Sequence, residues 1–113
     1  MTESEFIALT DRVLNLVGEA LDASENTSGG DLDWQLNDGI LEIDCGAGGK
    51  IIVNRHVPNR ELWLATRGGG YHYRPVAGGW SDTRGTGDLH NALGKALAEQ
   101  SGDAIDLPAL PTS

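Results

Sequence analysis

Apolar residues recur at helical spacing in two segments, one near each end of the chain. The first segment, residues 3–23, predicts an amphipathic helix whose apolar positions are Phe6, Leu9, Val13, Leu16, Val17, Ala20 and Leu21. Thr2 and Glu5 match a capping box, so this helix is expected to begin at Glu3. The second helix is predicted over residues 87–100, with Thr86 as N-cap and Gly102 just past its end. Its apolar face consists of Leu89, Ala92, Leu93, Ala96 and Leu97.

Between the helices the hydrophobic period changes to two, which is typical of strands with one buried face. Residues 31–37 and 40–45 flank Asp38-Gly39, a dipeptide that favours a two-residue hairpin turn, and residues 26–30 are expected to form a loop before them. The turn sets the register, with Leu36 opposite Leu41, Trp34 opposite Ile43, Leu32 opposite Cys45, Gln35 opposite Glu42 and Asp33 opposite Asp44. Further strands are predicted at residues 50–56, 61–67, 71–74 and 80–84.

The short connections between these strands require neighbours to run antiparallel. Each helix must bury one stripe, which favours packing both on one face of the sheet. The expected fold is therefore α+β, a two-layer sandwich of two helices on an antiparallel meander of five to six strands. Residues 1–102 form the domain, and the proline-broken tail of residues 103–113 lies extended between the helices or is disordered.

Negative charge is concentrated in the first part of the chain. Residues 1–44 hold eleven acids and one base, whereas the rest holds six acids and seven bases, giving −9 overall. Such a field repels nucleic acid and anionic membranes. The chain has one cysteine, an acidic N-terminal segment and no apolar run long enough to span a membrane. These features indicate a soluble cytoplasmic protein, which we expect to be a monomer.

Two sets of carboxylates are candidate cation ligands. Asp33 and Asp44 lie directly across the predicted hairpin, where they repel each other unless a cation lies between them. Solvent screening of the pair is the alternative. On the first helix, Asp11, Glu19 and Asp22 lie on the solvent side, where they serve as ligands or simply as the polar face of a surface helix.

The uncovered face of the sheet is expected to display Trp63 beside Asn54, His56 and His72. An exposed tryptophan among amide and imidazole groups has the composition of a binding hot spot, although a single exposed aromatic also occurs without function. His56 and His72 alone are too few ligands for a convincing metal site.

The centre of the chain resembles the frataxin family, in particular its bacterial CyaY type. The resemblance is carried by residues 49–73, GKIIVNRHVPNRELWLATRGGGYHY, and extends to residues 4–6, 19–22, Trp80 and residues 82–84. It implies a non-catalytic accessory of iron–sulfur cluster assembly that binds iron (Fe²⁺ or Fe³⁺) weakly through an acidic ridge, with other divalent cations as further ligands. The ridge residues would be Glu19, Asp22, Asp31 and Asp33, with Glu3 and Asp11.

The resemblance also implies a partner, the cysteine desulfurase, which would meet the ridge and the sheet face at Asn54, His56 and Trp63. Three features depart from the family pattern: Gly18 where relatives often carry an acid, residues 26–30 where the acidic run is commonly denser, and His56 in place of an amide. A metal-independent protein-binding module that uses the sheet face is the competing interpretation. An enzyme is not expected, because no catalytic motif or two-metal ligand set is visible.

Overall fold

The first helix, α1, spans Glu3–Ser28 in the computed structural model, which describes residues 1–28, 32–85 and 87–113 and omits the side chains of residues 25–28. Its capping box is confirmed, since Thr2 N donates to Glu5 Oε1 at 2.8 Å and Glu5 N donates to Thr2 Oγ1 at 3.1 Å. The helix continues past the predicted end at residue 23. Residues 24–28 include neither glycine nor proline, the strongest helix breakers, so the predicted loop is wrong at residues 26–28, while its residues 29 and 30 lie outside the described residues.

Six strands follow, and each pairs antiparallel with its neighbours in chain order, which confirms the meander. They are β1 (Asp33–Asn37), β2 (Ile40–Asp44), β3 (Lys50–His56), β4 (Glu61–Thr66), β5 (Gly69–Val76) and β6 (Gly79–Asp82), with a short 3₁₀ turn at Gly46–Gly48.

The β1–β2 hairpin has the predicted register, including Asp33 opposite Asp44 and Trp34 opposite Ile43. Asp38 and Gly39 adopt positive φ angles of 50° and 79°, as a type I′ turn requires. The predicted pair of Leu32 and Cys45 lies next to residues 29–31, which the structure does not describe. Both side chains of the pair are buried.

The second helix, α2, spans Leu89–Ser101 and ends at Gly102 with φ 84°, as predicted. Its start was predicted too early. Asp88 is the N-cap, and its carboxylate accepts a hydrogen bond from Asn91 N at 2.8 Å. Thr86, the expected cap, lies outside the described residues. A carboxylate at this position satisfies a free amide and complements the helix dipole.

Both helices cover the same face of the sheet, and the core lies between the two layers. Phe6, Leu14, Leu41, Ile51, Leu62, Trp80 and Leu93 are among its fully buried members. The expected two-layer sandwich is thus confirmed. Within the described part of the chain, neither helix has the length and apolarity that a membrane crossing requires.

Residues 103–113 have no regular secondary structure but pack on the domain. Ile105 and Leu107 are buried, and His90 of α2 bonds the Leu107 carbonyl at 2.9 Å. The Trp80 indole donates to the Pro111 carbonyl at 2.8 Å, and Arg12 of α1 donates to the Ser113 carbonyl. The tail therefore runs in extended form in contact with both helices.

Candidate functional site

The acids of α1 do not converge on one point. At 1.5 Å of rise per residue, Glu3 and Asp22 are separated by about 28 Å along the helix, and Asp11 and Asp22 by about 16 Å. Glu19 and Asp22 are exposed near the end that packs on β1, whereas Glu3 is exposed in the first turn. The seven proposed ligands therefore separate into distinct groups.

Trp34 of β1 joins the helix acids to the edge of the sheet. Its indole N–H donates to Asp22 Oδ1 at 2.8 Å. The ring lies so close to α1 that a Cβ added at Gly18 would come within 2.6 Å of Trp34 Cη2. The absence of a side chain at Gly18 is thus what admits the indole. Sequence reasoning expected Trp34 on the inner face but missed its bond to Asp22, because strand periodicity does not specify which helical residue it meets.

Asp33 and Asp44 lie side by side at this edge, each with one local hydrogen bond. Asp33 Oδ1 accepts from Trp34 N at 3.0 Å, and Asp44 Oδ1 accepts from Gly46 N at 2.9 Å. Lys50 is the partner of Asp44 on β3, and its ammonium contacts Glu42 Oε1 at 3.3 Å. A positive charge therefore lies beside the carboxylates. Asp31, another proposed ligand, lies outside the described residues.

We use the term acidic edge for Glu19 and Asp22 of α1, Asp33 of β1 and Asp44 of β2. Trp34 joins Asp22 to β1, whereas Glu19 lies about one turn earlier on the helix and lines a surface pocket with Asp11 and Pro111. β1 is the outermost strand, so Asp22, Asp33 and Asp44 surround an edge of the sheet. Within the described residues, no three histidine, cysteine, aspartate or glutamate side chains are grouped to hold a metal ion. The acidic edge is therefore a charged surface and not a preformed ligand cage.

Asp11 lies about two turns before Glu19 on α1 and is engaged in an ion pair. Its carboxylate lies 2.8 Å from Arg55 Nη1, and the Arg55 side chain is only 10% exposed. Arg55 Nη2 also lies 3.7 Å from Asp38 in the hairpin turn. Arg55 thus ties α1 and the hairpin to the sheet, a role that the sequence did not reveal because its partners are distant in the chain.

Trp63 lies on the open face, the side of the sheet without helices, as predicted, but it is half-buried and not exposed as expected. It is stacked between two imidazoles: the His56 ring centroid is 4.0 Å away at 11°, and that of His72 is 4.2 Å away at 9°. We refer to these three residues as the ring stack. Asn54 lies directly across from Trp63 on β3. The indole separates His56 from His72, so these two side chains do not share a metal ion.

Glu61 lies beneath the ring stack and is 4% exposed. Strand alternation puts it on the open face with Trp63, two residues along β4, but it does not face solvent. Its Oε1 accepts the Trp63 indole N–H at 2.8 Å, and Arg74 Nη2 lies 3.5 Å from its Oε2. His72 Nδ1 lies 3.7 Å from Oε1. Neighbouring side chains therefore cover the carboxylate and supply donors to it.

Two further titratable groups are buried away from these surfaces. Burial, with a smaller effect of Asp44, raises the pKa of the Cys45 thiol, which disfavours the thiolate form needed for metal ligation or nucleophilic attack. Burial, reinforced by Asp82, raises the pKa of Tyr73 to about 12. Tyr73 lines the groove between α2 and the sheet, on the side opposite the ring stack.

Comparison with known proteins places this geometry among related chains. Residues 1–103 match the model of the frataxin-like domain. The chain is 41% identical over 110 residues to the iron-sulfur cluster assembly protein CyaY of Neisseria meningitidis, covering 97% of this chain and 99% of the relative. It is 36% identical over 107 residues to the protein of the same name from Cupriavidus metallidurans, covering 95% and 96%.

Solved structures share the fold. The frataxin of Psychromonas ingrahamii, described within the CyaY protein family, matches with a TM-score of 0.81 at 33% identity, covering 94% of this chain and 97% of that one. Trimeric frataxin of Saccharomyces cerevisiae, solved in complex with ferrous iron, matches with a TM-score of 0.72 at 21% identity, covering 83% and 86%. At that identity the yeast match is a likeness of fold.

Proposed function

The chain belongs to the frataxin-like family, and on that premise we propose that it is a non-enzymatic accessory of iron–sulfur cluster assembly. In this proposal it binds iron weakly through surface carboxylates and docks on the cysteine desulfurase, acting as a monomer in the cytoplasm. The observation that carries the proposal is the adjacency of the acidic edge and the open face on one sheet. The two relatives named as iron-sulfur cluster assembly proteins support it.

The chemistry of the acidic edge favours iron over softer metals. Carboxylates suit hard cations that prefer oxygen ligands. Fe³⁺ and divalent ions such as Mg²⁺ and Mn²⁺ are of this kind, and Fe²⁺ is borderline. The four carboxylates are exposed and, within the described residues, form no group of three that could hold an ion, so water must complete the coordination of any ion. Weak, exchangeable binding follows, and a solved relative bound to ferrous iron is consistent with it. Asp31, Glu3 and Asp11 remain further candidates, with Asp11 already paired to Arg55.

The partner surface combines charge with a rigid aromatic centre. Negative potential at the acidic edge steers a basic surface toward the molecule. The open face then supplies the central contacts, because Trp63, His56 and Asn54 lie together there and Ile40 beside them is 47% exposed. Clustered aromatic side chains of this kind carry much of the binding free energy in protein interfaces.

A metal-independent binding module is the second candidate function. It is favoured by one observation: the ring stack is already ordered, whereas the described acids form no metal cage. In this case the carboxylates only steer the partner, and iron has no effect on docking.

Desulfurase affinity measured with and without ferrous iron distinguishes the two functions. We expect Trp63→Ala to weaken binding in both conditions, because it removes the centre of the surface. Neutralising Asp22 and Asp33 together (Asp22→Asn, Asp33→Asn) should abolish the change that iron causes. Asp103→Asn with Asp106→Asn, two exposed acids of the tail, removes the same charge; it is the matched control and should bind like the unsubstituted chain.

Isothermal titration at fixed ionic strength gives these affinities. An iron effect that survives the double neutralisation would refute the role of the acidic edge. Equal affinities with and without iron for every variant would favour the metal-independent module. No binding by the unsubstituted chain in either condition would refute both.

A further inference from the structure

The carboxylate of Glu61 occupies an unusual place for a charged group in this fold. Its side chain is 5% exposed, and three side chains of the open face surround it with donors: Trp63, His72 and Arg74. Burying a carboxylate is unfavourable, and a well-packed apolar side chain is often at least as stabilising in such a position. Stability alone therefore does not explain this residue.

The ring stack depends on how the Trp63 indole is oriented. His72 lies directly across from Trp63 on β5, whereas His56 on β3 lies opposite Glu61 and reaches the indole diagonally. Parallel stacking on both sides requires one rotamer of Trp63, and the bond from its N–H to Glu61 Oε1 selects that rotamer. Within the described residues, His56 Nδ1 is buried without a hydrogen-bond partner, so stacking on Trp63 is what orients this ring.

We propose that Glu61 is the positioning residue of the docking surface: it holds the Trp63 indole between the two imidazoles and so orders the open face before a partner arrives. This inference rests on the proposed function for the identity of the partner. Imidazoles cover both faces of the indole, so the partner meets ring edges and the outer side of His72, whose side chain is 46% exposed. Preorganisation raises affinity because fewer rotamers are lost on binding.

Two substitutions separate the hydrogen bond from the charge. Glu61→Gln retains an oxygen that accepts the Trp63 N–H, whereas Glu61→Leu fills similar space and removes the acceptor. We expect Glu61→Leu to lose about three- to tenfold in desulfurase affinity, the cost of ordering one large side chain on binding. Glu61→Gln should stay within about twofold of the unsubstituted chain.

The control is Glu42→Gln, which removes an equal charge from the same face of β2 outside the ring stack. It should leave affinity within about twofold of the unsubstituted chain. An equal loss in Glu42→Gln and Glu61→Leu would overturn the proposal, because net charge would then explain both. Full affinity in a folded Glu61→Leu variant would overturn it as well.

A spectroscopic readout tests the positioning role without a partner. In the unsubstituted chain, the Trp63 indole N–H should exchange with solvent more slowly than that of Trp34, whose acceptor Asp22 is exposed. In Glu61→Leu, proton contacts between the Trp63 ring and both imidazoles should weaken in NMR spectra and return in Glu61→Gln. Unchanged contacts in Glu61→Leu would refute the inference, as would faster exchange at Trp63 in the unsubstituted chain.

These outcomes are distinct from failure of the proposed function. If the chain does not bind the desulfurase at all, the NMR comparison still tests the positioning role. Conversely, the unsubstituted chain could bind the desulfurase while Glu61→Leu leaves the ring stack unchanged. In that case the proposed function stands and only the positioning role is refuted.

Discussion

At the residue scale, Gly18 and Trp34 explain a departure from the family pattern. From the resemblance, we expect an acidic residue of the ridge at the position of Gly18. The structure gives the reason, since the Trp34 indole occupies the space of a side chain and donates to Asp22. Gly18 thus leaves room for a hydrogen bond from the sheet to Asp22, one turn later on α1.

The first prediction concerns Gly18→Ala. Alanine favours a helix over glycine by about 1 kcal/mol, but here its Cβ would lie 2.6–2.9 Å from three Trp34 ring atoms. Displacing the ring breaks its bond to Asp22, so we expect a net destabilisation of about 1 kcal/mol. In a Trp34→Ala background the same substitution should stabilise the protein by about 1 kcal/mol. Urea unfolding of the four proteins measures both effects, and destabilisation of equal size in the two backgrounds would contradict the account.

The second prediction concerns Tyr73 and alkaline pH. Its folded pKa of about 12 exceeds the value near 10 of an exposed phenol, so the folded state favours the neutral form. The resulting stability is fully present below about pH 10 and is lost as pH rises through 12. We expect Tyr73→Phe to show a smaller fall in the free energy of unfolding between pH 9.5 and 11.5 than the unsubstituted chain. Parallel falls in the two proteins would show that another group is responsible.

At the element scale, the sequence determined the hairpin better than the contacts between elements. Asp38-Gly39 and strict alternation left one register for β1 and β2, and the structure has it. The start of α2 was harder, because Asp88 and Thr86 are both good caps and only tertiary packing selects between them. The bonds that Trp34 and Arg55 make to α1 depend on how layers pack, which a periodic pattern does not encode.

The third prediction concerns the tail as an element of the fold. Leu107 is 7% exposed and lies between two residues that face solvent. We expect Leu107→Ala to reduce the free energy of unfolding by about 2–3 kcal/mol, because it leaves a cavity against α2. The neighbouring Asp106→Ala should change it by less than about 0.5 kcal/mol. Equal midpoints in urea for both variants would indicate that the tail does not pack as described.

At the scale of the whole molecule, the fold gathers most of the described acids of residues 1–44 on α1 and the outer hairpin. Charge arithmetic predicted one negative region, but the acids are spread in distinct groups along α1 and over the hairpin that begins with the outermost strand. What the sequence could not predict is which acids are free for a ligand. Asp11 pairs with Arg55, whereas Asp22 accepts a hydrogen bond from Trp34. Two aspartates that look alike in the sequence therefore have different partners in the structure.

The open face shows the same division between pattern and packing. Alternation correctly placed Trp63, Asn54, His56 and His72 on one side of the sheet. It could not predict that Glu61 is covered by the ring stack, because burial on an open face depends on the size of neighbouring side chains. The partner surface is therefore more ordered than its composition indicates.

The most direct test of the central claim is an NMR titration of the ¹⁵N-labelled chain with ferrous iron. The account predicts that paramagnetic broadening begins at Glu19, Asp22, Asp33 and the Trp34 indole N–H, while Asn54, His56 and Trp63 stay sharp and available to a partner. The neutralised variant Asp22→Asn with Asp33→Asn should lose this effect. Broadening that begins at the ring stack, or that spreads evenly over the surface, would contradict the claim that the acidic edge is the iron-binding part of the molecule.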